Sequence, residues 1–315
     1  MIHTKLCDLL GIRYPILQGG MAWIADAQLA AAVSNAGGLG LIAAGNAPAD
    51  WVREQIQLAK TLTTKPFGVN IMLMSPHSAE IAKVVIEEKV PVVSTGAGDP
   101  TPYMSAWLDS GIQVIPVIPS VAIAKRVAKK GATAVVAEGG EAGGHVGDLT
   151  TMALIPQVAD AVDIPVIAAG GIGDGRGIAA AFMLGAEGVQ IGTRFLVAKE
   201  CGIHQNYKDK VLKAKDRDTM ATGKRLGHPV RSLKTPFSRH FASKEYDSSV
   251  TNEELEALGA GALKLAVQGD EQNGCFMAGQ IAGLVTREQT AAEMIQEMFA
   301  ETEASLKAAN SFLTE

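Results

Sequence analysis

Residues 165 to 174 read Pro165-Val166-Ile167-Ala168-Ala169-Gly170-Gly171-Ile172-Gly173-Asp174, and the unit they open decides the fold. The first five form an apolar run too short for a helix, which reads as a buried strand. The glycines make a tight loop, and Asp174 stands where it can cap a helix that ends near Gly185. A second apolar run, Gly188-Val189-Gln190-Ile191-Gly192, then leads into Thr193-Arg194. Strand, loop, helix and next strand follow one another closely, as parallel strands with right-handed crossovers require.

The same unit recurs along the chain. Strand-like runs occupy residues 15–18, 40–44, 67–73, 90–95, 113–118, 133–137, 165–169 and 188–192, with alanine-rich amphipathic stretches of helical length between them. Asp26 is an N-cap candidate for one such stretch, and Gly37-Gly38 stops it. Eight units close naturally into a (β/α)8 TIM barrel; an open doubly wound sheet is the alternative, because counting strands does not prove closure. After Phe195 the pattern breaks, and helical runs resume at 252–258 and 289–309. The expected organisation is a barrel domain of residues 1–195 and 251–315, with a basic insertion or lid at 196–250 after the eighth strand, and C-terminal helices.

The chain has 315 residues, 47% of them apolar, and a net charge of −5. No apolar run approaches the ~18 residues of a membrane span, so no membrane association is expected. The N-terminal residues lack the apolar centre of a secretory signal, which points to the cytoplasm. Three cysteines without close spacing argue against a disulfide framework and a zinc site. The acidic balance argues against nucleic-acid binding but hides an asymmetry. Between Lys199 and Lys244 twelve Lys or Arg stand against four Asp or Glu, which gives that segment +8 and leaves −13 elsewhere. Such a segment can steer an acidic partner or be no more than a solvated face.

In a barrel, chemistry sits at the C-terminal strand ends, and phosphate is commonly held by the loops after the seventh and eighth strands. Those loops here contain Gly170, Gly171, Gly192 and Thr193, whose exposed N–H groups and small side chains suit a phosphate. Other strand ends carry Gln18-Gly19-Gly20-Met21-Ala22, Asn70, Ser94, Glu138 and Gln190. Amide, hydroxyl and small groups of this kind fit the edge of a flat heteroaromatic ring better than a metal, and no cluster at metal-ligand spacing occurs. Met277-Ala278-Gly279-Gln280 is a further small-residue stretch where Met277 or Gln280 could touch a cofactor; close helix packing explains it equally.

The sixth run ends in Glu138-Gly139-Gly140-Glu141-Ala142-Gly143-Gly144-His145-Val146-Gly147-Asp148. The glycines permit close approach of a ligand, with Gly143 and Gly144 keeping the wall thin, and His145 supplies a group that exchanges protons near neutrality. Alternatively, His145 is an incidental surface residue in a turn. His204, His228 and His240 are expected in solvent, and His3 and His77 carry no evident chemistry.

These motifs, with Gly37-Gly38-Leu39-Gly40, Phe67-Gly68-Val69-Asn70, Leu149-Thr150-Thr151-Met152 and Ile281-Ala282-Gly283-Leu284, resemble the FMN-dependent nitronate monooxygenases (2-nitropropane dioxygenases) and the enoyl-acyl-carrier-protein reductase II enzymes. The likeness covers nearly the whole chain and is nearest to the reductase branch. It implies a TIM barrel holding FMN, with NADH as electron donor (NADPH is the open alternative) and a trans-2-enoyl thioester of fatty acid synthesis as substrate. It also implies a homodimer, and some enzymes of this kind respond to monovalent cations. The expected cofactor residues are Gly19, Gly20, Met21, Ala22, Asn70, Glu138, Gly143, Gly170, Gly171, Gln190, Gly192, Thr193, Met277, Gly279 and Gln280, with His145 as the catalytic proton donor. Lys208, Lys210, Lys213 and Lys215 are candidates for docking the acidic acyl carrier protein. A nitronate monooxygenase would keep the fold, FMN and His145 but oxidise alkyl nitronates with O2. A barrel that binds its ligand without turning it over is the third reading.

Overall fold

The computed structural model describes residues 2–313. Its parallel strands are β1 (Ile16–Gln18), β2 (Gly40–Ala43), β3 (Phe67–Met72), β4 (Val92–Gly96), β5 (Gln113–Ile118) and β6 (Val135–Glu138). After the short β7 (Gly144–His145) come β8 (Val166–Ala169) and β9 (Gly188–Ile191). They pair in the order β1-β9-β8-β6-β5-β4-β3-β2, and a parallel bridge from Leu17 to Leu39 brings the last strand round to the first. The fold is therefore a (β/α)8 TIM barrel, not an open sheet.

Strand alternation sorts the core into an inside and an outside. Leu17, Leu41, Val92, Ile115, Val136 and Ile167 fill the barrel, where Leu6 and Leu10 of the helix Lys5–Leu10 join them. Val93, Val135, Ala137, Val166, Ala168, Val189 and Ile191 pack outward against the helices. Following the inward parity to the C-terminal strand ends gives Asn70 on β3, Ser94 on β4, Glu138 on β6 and Gln190 on β9. An apolar barrel is thus topped by a polar layer. Register places Glu138 beside Ala169 and Ala169 beside Gln190, so these two polar residues stand two strands apart at one level.

The helices hold their positions through the caps read from the sequence. Asp26 accepts from the N–H groups of Gln28 and Leu29 at the start of Ala27–Asn35, and Asp174 accepts from Arg176 and Gly177 at the start of Gly175–Met183. A Cβ on Gly40 would lie 1.9 Å from the Ala30 carbonyl, so only glycine lets this strand meet its helix so closely. The long C-terminal helix Ala291–Ala309 packs against Gly175–Met183, and its Glu301 accepts from the Gly175 N–H at 2.7 Å.

Residues 196–250 are more regular than their composition suggests. They contain a helix, Gln205–Leu212, a hairpin of β10 (Thr219–Thr222) and β11 (Val230–Leu233), and a second helix, Pro236–Glu245. The hairpin extends back to the barrel: β11 pairs antiparallel with β7, with Val230 opposite His145 and Arg231 opposite Gly144. The glycine-rich loop therefore contains a strand that its own sequence does not announce. Phe237, Phe241, Leu255, Ala262 and Cys275 form a separate apolar cluster, to which helix Asn252–Gly259 contributes. Among the described residues no helix is long and apolar enough to cross a membrane.

Candidate active site

A cleft of about 980 Å³ opens over the polar end of the barrel. It lies at the upper end of the ~300–1,000 Å³ typical of small-molecule sites, so it has room for more than one ligand group. One wall comes from the strand ends: Gly19, Gly20, Met21 and Ala22 after β1, Asn70 on β3, Glu138 on β6, Gly170 and Gly171 after β8, then Gln190, Gly192 and Thr193 on and after β9. Gly143, His145, Met277 and Gly279 line it from the side. Gln280 is the exception. Its backbone N–H turns inward to the Glu141 carbonyl at 2.9 Å, and the exposed residue lines a separate pocket of about 200 Å³ with Lys224 and Arg231.

The strand-end wall is shaped by close approaches. A Cβ on Gly20 would fall 2.3 Å from Asn70 Cγ, and Asn70 Nδ2 donates to Ser94 Oγ at 3.3 Å. Gly170 and Gly171 have φ of 85° and 70°, a left-handed bend that side-chain-bearing residues disfavour. Among the described residues, one buried polar atom of this wall has no protein partner. Gln190 Oε1 is buried and unpaired, an arrangement that in native proteins calls for a ligand or water to complete it. Burial raises the Glu138 carboxyl from 4.5 to about 7.

The His145 loop is anchored on several sides. The Arg231 guanidinium donates to the Gly140 carbonyl through Nε and Nη2, at 3.1 and 3.0 Å. Glu141 accepts from the Thr151 N–H and hydroxyl at the next helix start. A Cβ on Gly143 would lie 2.7 Å from Gly279 N, so the loop packs backbone to backbone against 278–279. The Gly279 N–H in turn donates to Thr193 Oγ1 at 2.8 Å. His145 itself is exposed by surface area, yet that surface faces the cleft. Desolvation by the surrounding walls, then the nearby charge of His228, lowers its pKa below 6.5.

His228 was expected in solvent and is instead half-buried on the cleft wall, its ring centroid 6.2 Å from that of His145. The turn between β10 and β11 carries it there. His204 and His240 are exposed, and His204 Nδ1 accepts from Asn206 N–H at 3.1 Å as a helix cap. Lys208 does not belong to a docking surface: it is 5% exposed, and its Nζ donates to the Ala198 carbonyl at 2.7 Å. Lys210 pairs with Glu271 at 3.0 Å, while Lys213 and Lys215 remain exposed.

The sequence reading also missed Trp23, Ala97 and the apolar lid residues Phe237, Phe241 and Leu255, all of which line the cleft. Trp23 and Ala97 have φ of 63° and 50°, strained values for residues with side chains. Lys264 Nζ sits 5.0 Å from the Trp23 ring centroid. The i, i+4 spacing of Phe237 and Phe241 is a helix-face signal, but nothing local ties that face to the barrel. Among the described residues no group of His, Cys, Asp and Glu could hold a metal ion.

Comparison with known proteins places this architecture. FabK from Thermotoga maritima is 47% identical, with a TM-score of 0.97 over 99% of this chain and 100% of that one. A Rhodococcus jostii (3aS,4S,5R,7aS)-5-hydroxy-7a-methyl-1-oxo-octahydro-1H-indene-4-carboxyl-CoA dehydrogenase is 42% identical over 74% of this chain and 66% of its own length. A probable nitronate monooxygenase of Staphylococcus saprophyticus is 34% identical over 90% of this chain and 93% of its own. The family profile described as nitronate monooxygenase matches residues 3–87 and 80–301, and with it the chain belongs to the nitronate monooxygenase family.

Proposed function

We propose that this flavin-dependent oxidoreductase is an FMN enzyme that takes electrons from NADH, with NADPH as the alternative donor, and reduces the trans-2 double bond of an enoyl thioester carried by acyl carrier protein. FMN suits the residues present. Gln190 Oε1 is an unpaired acceptor at the cleft floor, where an N–H on a flat ring could donate to it. The left-handed bend at Gly170-Gly171 leaves no Cβ between a phosphate and the main chain, and the N-terminus of helix Gly175–Met183 adds positive partial charge nearby. Met21, Gly19, Gly192 and Thr193 would hold the remaining cofactor edge.

Bound FMN would supply the two-electron transfer from the nicotinamide to the β-carbon of the enoyl group. The α-carbon then needs a proton, and His145 is the side chain placed to provide it at the cleft wall. Because its pKa lies below 6.5, the ring is mainly neutral at pH 7, and its capacity as an acid grows as pH falls toward that pKa. Leu226, Val230 and Met277, apolar residues lining the cleft, would limit the access of water to the reacting carbons.

The observation that carries this reading is that the cleft continues from the polar barrel mouth, past His145, into an apolar chamber under the lid. A thioester with an alkyl tail uses both parts. Likeness to FabK over the whole chain supports it, and the Rhodococcus relative, by its name, is a dehydrogenase of a carboxyl-CoA thioester. The second reading, nitronate oxidation with O2, is favoured by the lowered pKa of His145, which suits a base, and by the staphylococcal relatives. One comparison separates them. Purified protein is given NADH with crotonyl thioester in the absence of oxygen, then an alkyl nitronate with oxygen. Turnover in the first and none in the second is expected; the reverse would replace the reductase reading with the monooxygenase one.

A further inference from the structure

We infer that the chamber beneath the lid is the subsite for an unbranched alkyl tail of the thioester, and that Phe241 and Gly259 set how long a tail it accepts. This rests on the enoyl-thioester reading above.

The chamber is built from three elements that follow one another in the chain. Phe237 and Phe241 come from helix Pro236–Glu245, Leu255 from helix Asn252–Gly259, and Leu226 and Val230 from the hairpin. Their cluster is distinct from both barrel cores, so this apolar surface does not serve to pack the strands. The charged residues that line this part of the cleft, Glu256 and Lys264, are exposed. The thiol of Cys275, raised by burial to about 11, stays neutral. A phosphate or carboxylate would find no buried counter-charge among these side chains, whereas a hydrocarbon chain would find apolar contact on several sides.

Met277 connects the chamber to the reacting centre. Its Sδ lies 3.7 Å from where a Cβ on Gly144 would stand, beside His145, and the same side chain packs against the lid cluster. A tail leaving the reacting carbons near His145 passes Met277 and runs toward Phe241. There Gly259, at the exposed end of its helix, lines the cleft next to Phe241: a Cβ on it would sit 3.5 Å from Phe241 Cε2. That distance is ordinary contact, so alanine fits without strain, but a longer side chain would occupy the space a tail needs. The small alkyl nitronates of the rival reading would leave this chamber unfilled.

The test uses flavin-loaded enzyme with crotonyl, octenoyl and dodecenoyl thioesters of N-acetylcysteamine, and saturated dodecanoyl thioester as an inhibitor. Each buried methylene favours binding by roughly fourfold, so KM should fall with tail length in the wild type until the chamber is full. Gly259→Leu should raise the ratio of dodecenoyl to crotonyl KM by roughly tenfold or more, equivalent to two methylenes displaced, and weaken dodecanoyl inhibition in parallel. Phe241→Trp, read the same way, covers the case in which Gly259→Leu loses its flavin. Turnover of crotonyl and dodecenoyl thioesters with ratios unchanged in both variants would overturn the chamber assignment. Wild-type enzyme that reduces neither thioester would instead sink the reductase reading on which it rests.

Discussion

On one side of the cleft stand Asn70, Glu138 and Gln190, each in the C-terminal half of a barrel strand; on the other stand Phe237, Phe241 and Leu255, carried by the helices Pro236–Glu245 and Asn252–Gly259. The first wall is polar and is held by strands hydrogen-bonded on both sides. The second is apolar and is joined to the barrel by a narrow connection, the pairing of β11 with β7 and the bridge from Ser232 to Met277. The difference indicates a division of labour. Strand parity fixes the polar groups of the first wall, whereas the second supplies shape and hydrophobicity; in the proposed reading the first holds the flat cofactor and the second holds what it acts upon. His145 lies on the seam between the two, on a strand that the barrel loop provides and the lid completes.

The largest effect should come from that seam. His145→Ala removes the proposed proton donor while leaving the strand-end wall in place, so NADH-dependent reduction of crotonyl thioester should fall by ~10²–10⁴-fold with flavin occupancy retained. Loss of flavin in the variant would mean that the histidine belongs to the cofactor wall, and the division drawn above would be misplaced.

Glu138 tests the polar wall alone. Its carboxyl, raised from 4.5 to about 7 by burial, costs the native state about 3 kcal/mol once ionised. The sign follows from proton linkage: below pH 4.5 both folded and unfolded chains hold the proton, and the native state alone keeps it between 4.5 and 7. Stability therefore declines as pH rises through that window, with the full deficit present above it. Glu138→Gln, in protein stripped of flavin, should gain up to about 3 kcal/mol at pH 8 and little at pH 4.5, as measured by urea unfolding. An equal gain at both pH values would remove the ionisation argument.

A smaller effect should arise where the lid touches the seam. His228 helps to lower the pKa of His145, so His228→Asn should move the pH dependence of kcat/KM upward, toward 6.5, without abolishing turnover. A profile that does not move would show that desolvation alone sets the value. The smallest change is expected on the outer surface. Exposed Lys213 and Lys215, changed together to Glu, should raise KM for carrier-bound substrate a few-fold at low salt and less at high salt, leaving KM for a free thioester where it was. Equal KM at low salt would detach the carrier protein from this face.

Much of the barrel could be read from the chain because its signals are local. A strand must be short, apolar and followed by glycine, and a helix must be capped, so Val166–Ala169 and its cap Asp174 are legible within a few residues. The same locality exposed the residues of the strand-end wall of the cleft, since architecture says where a strand's end must face. Reading failed where a side chain's surroundings come from far along the chain. Lys208 looked like part of a basic surface because a charge count has no geometry; the fold turns it onto the Ala198 carbonyl. Gln280 looked like a cofactor ligand because it neighbours Met277, but its inward backbone hydrogen bond sends the residue out of the cleft.

By itself, then, the order of residues determined eight parallel strands, their caps and the glycine turns between Ala169 and Thr193, because backbone preference and burial alternate over distances of a few residues. Only the tertiary structure decided that β7 exists, that His228 stands 6.2 Å from His145, and that Phe241 and Leu255 wall a chamber over the barrel. A two-residue strand has no periodicity to announce it. It forms because β11, more than 80 residues later, offers backbone partners, and such long-range pairing is settled by the packing of the whole chain.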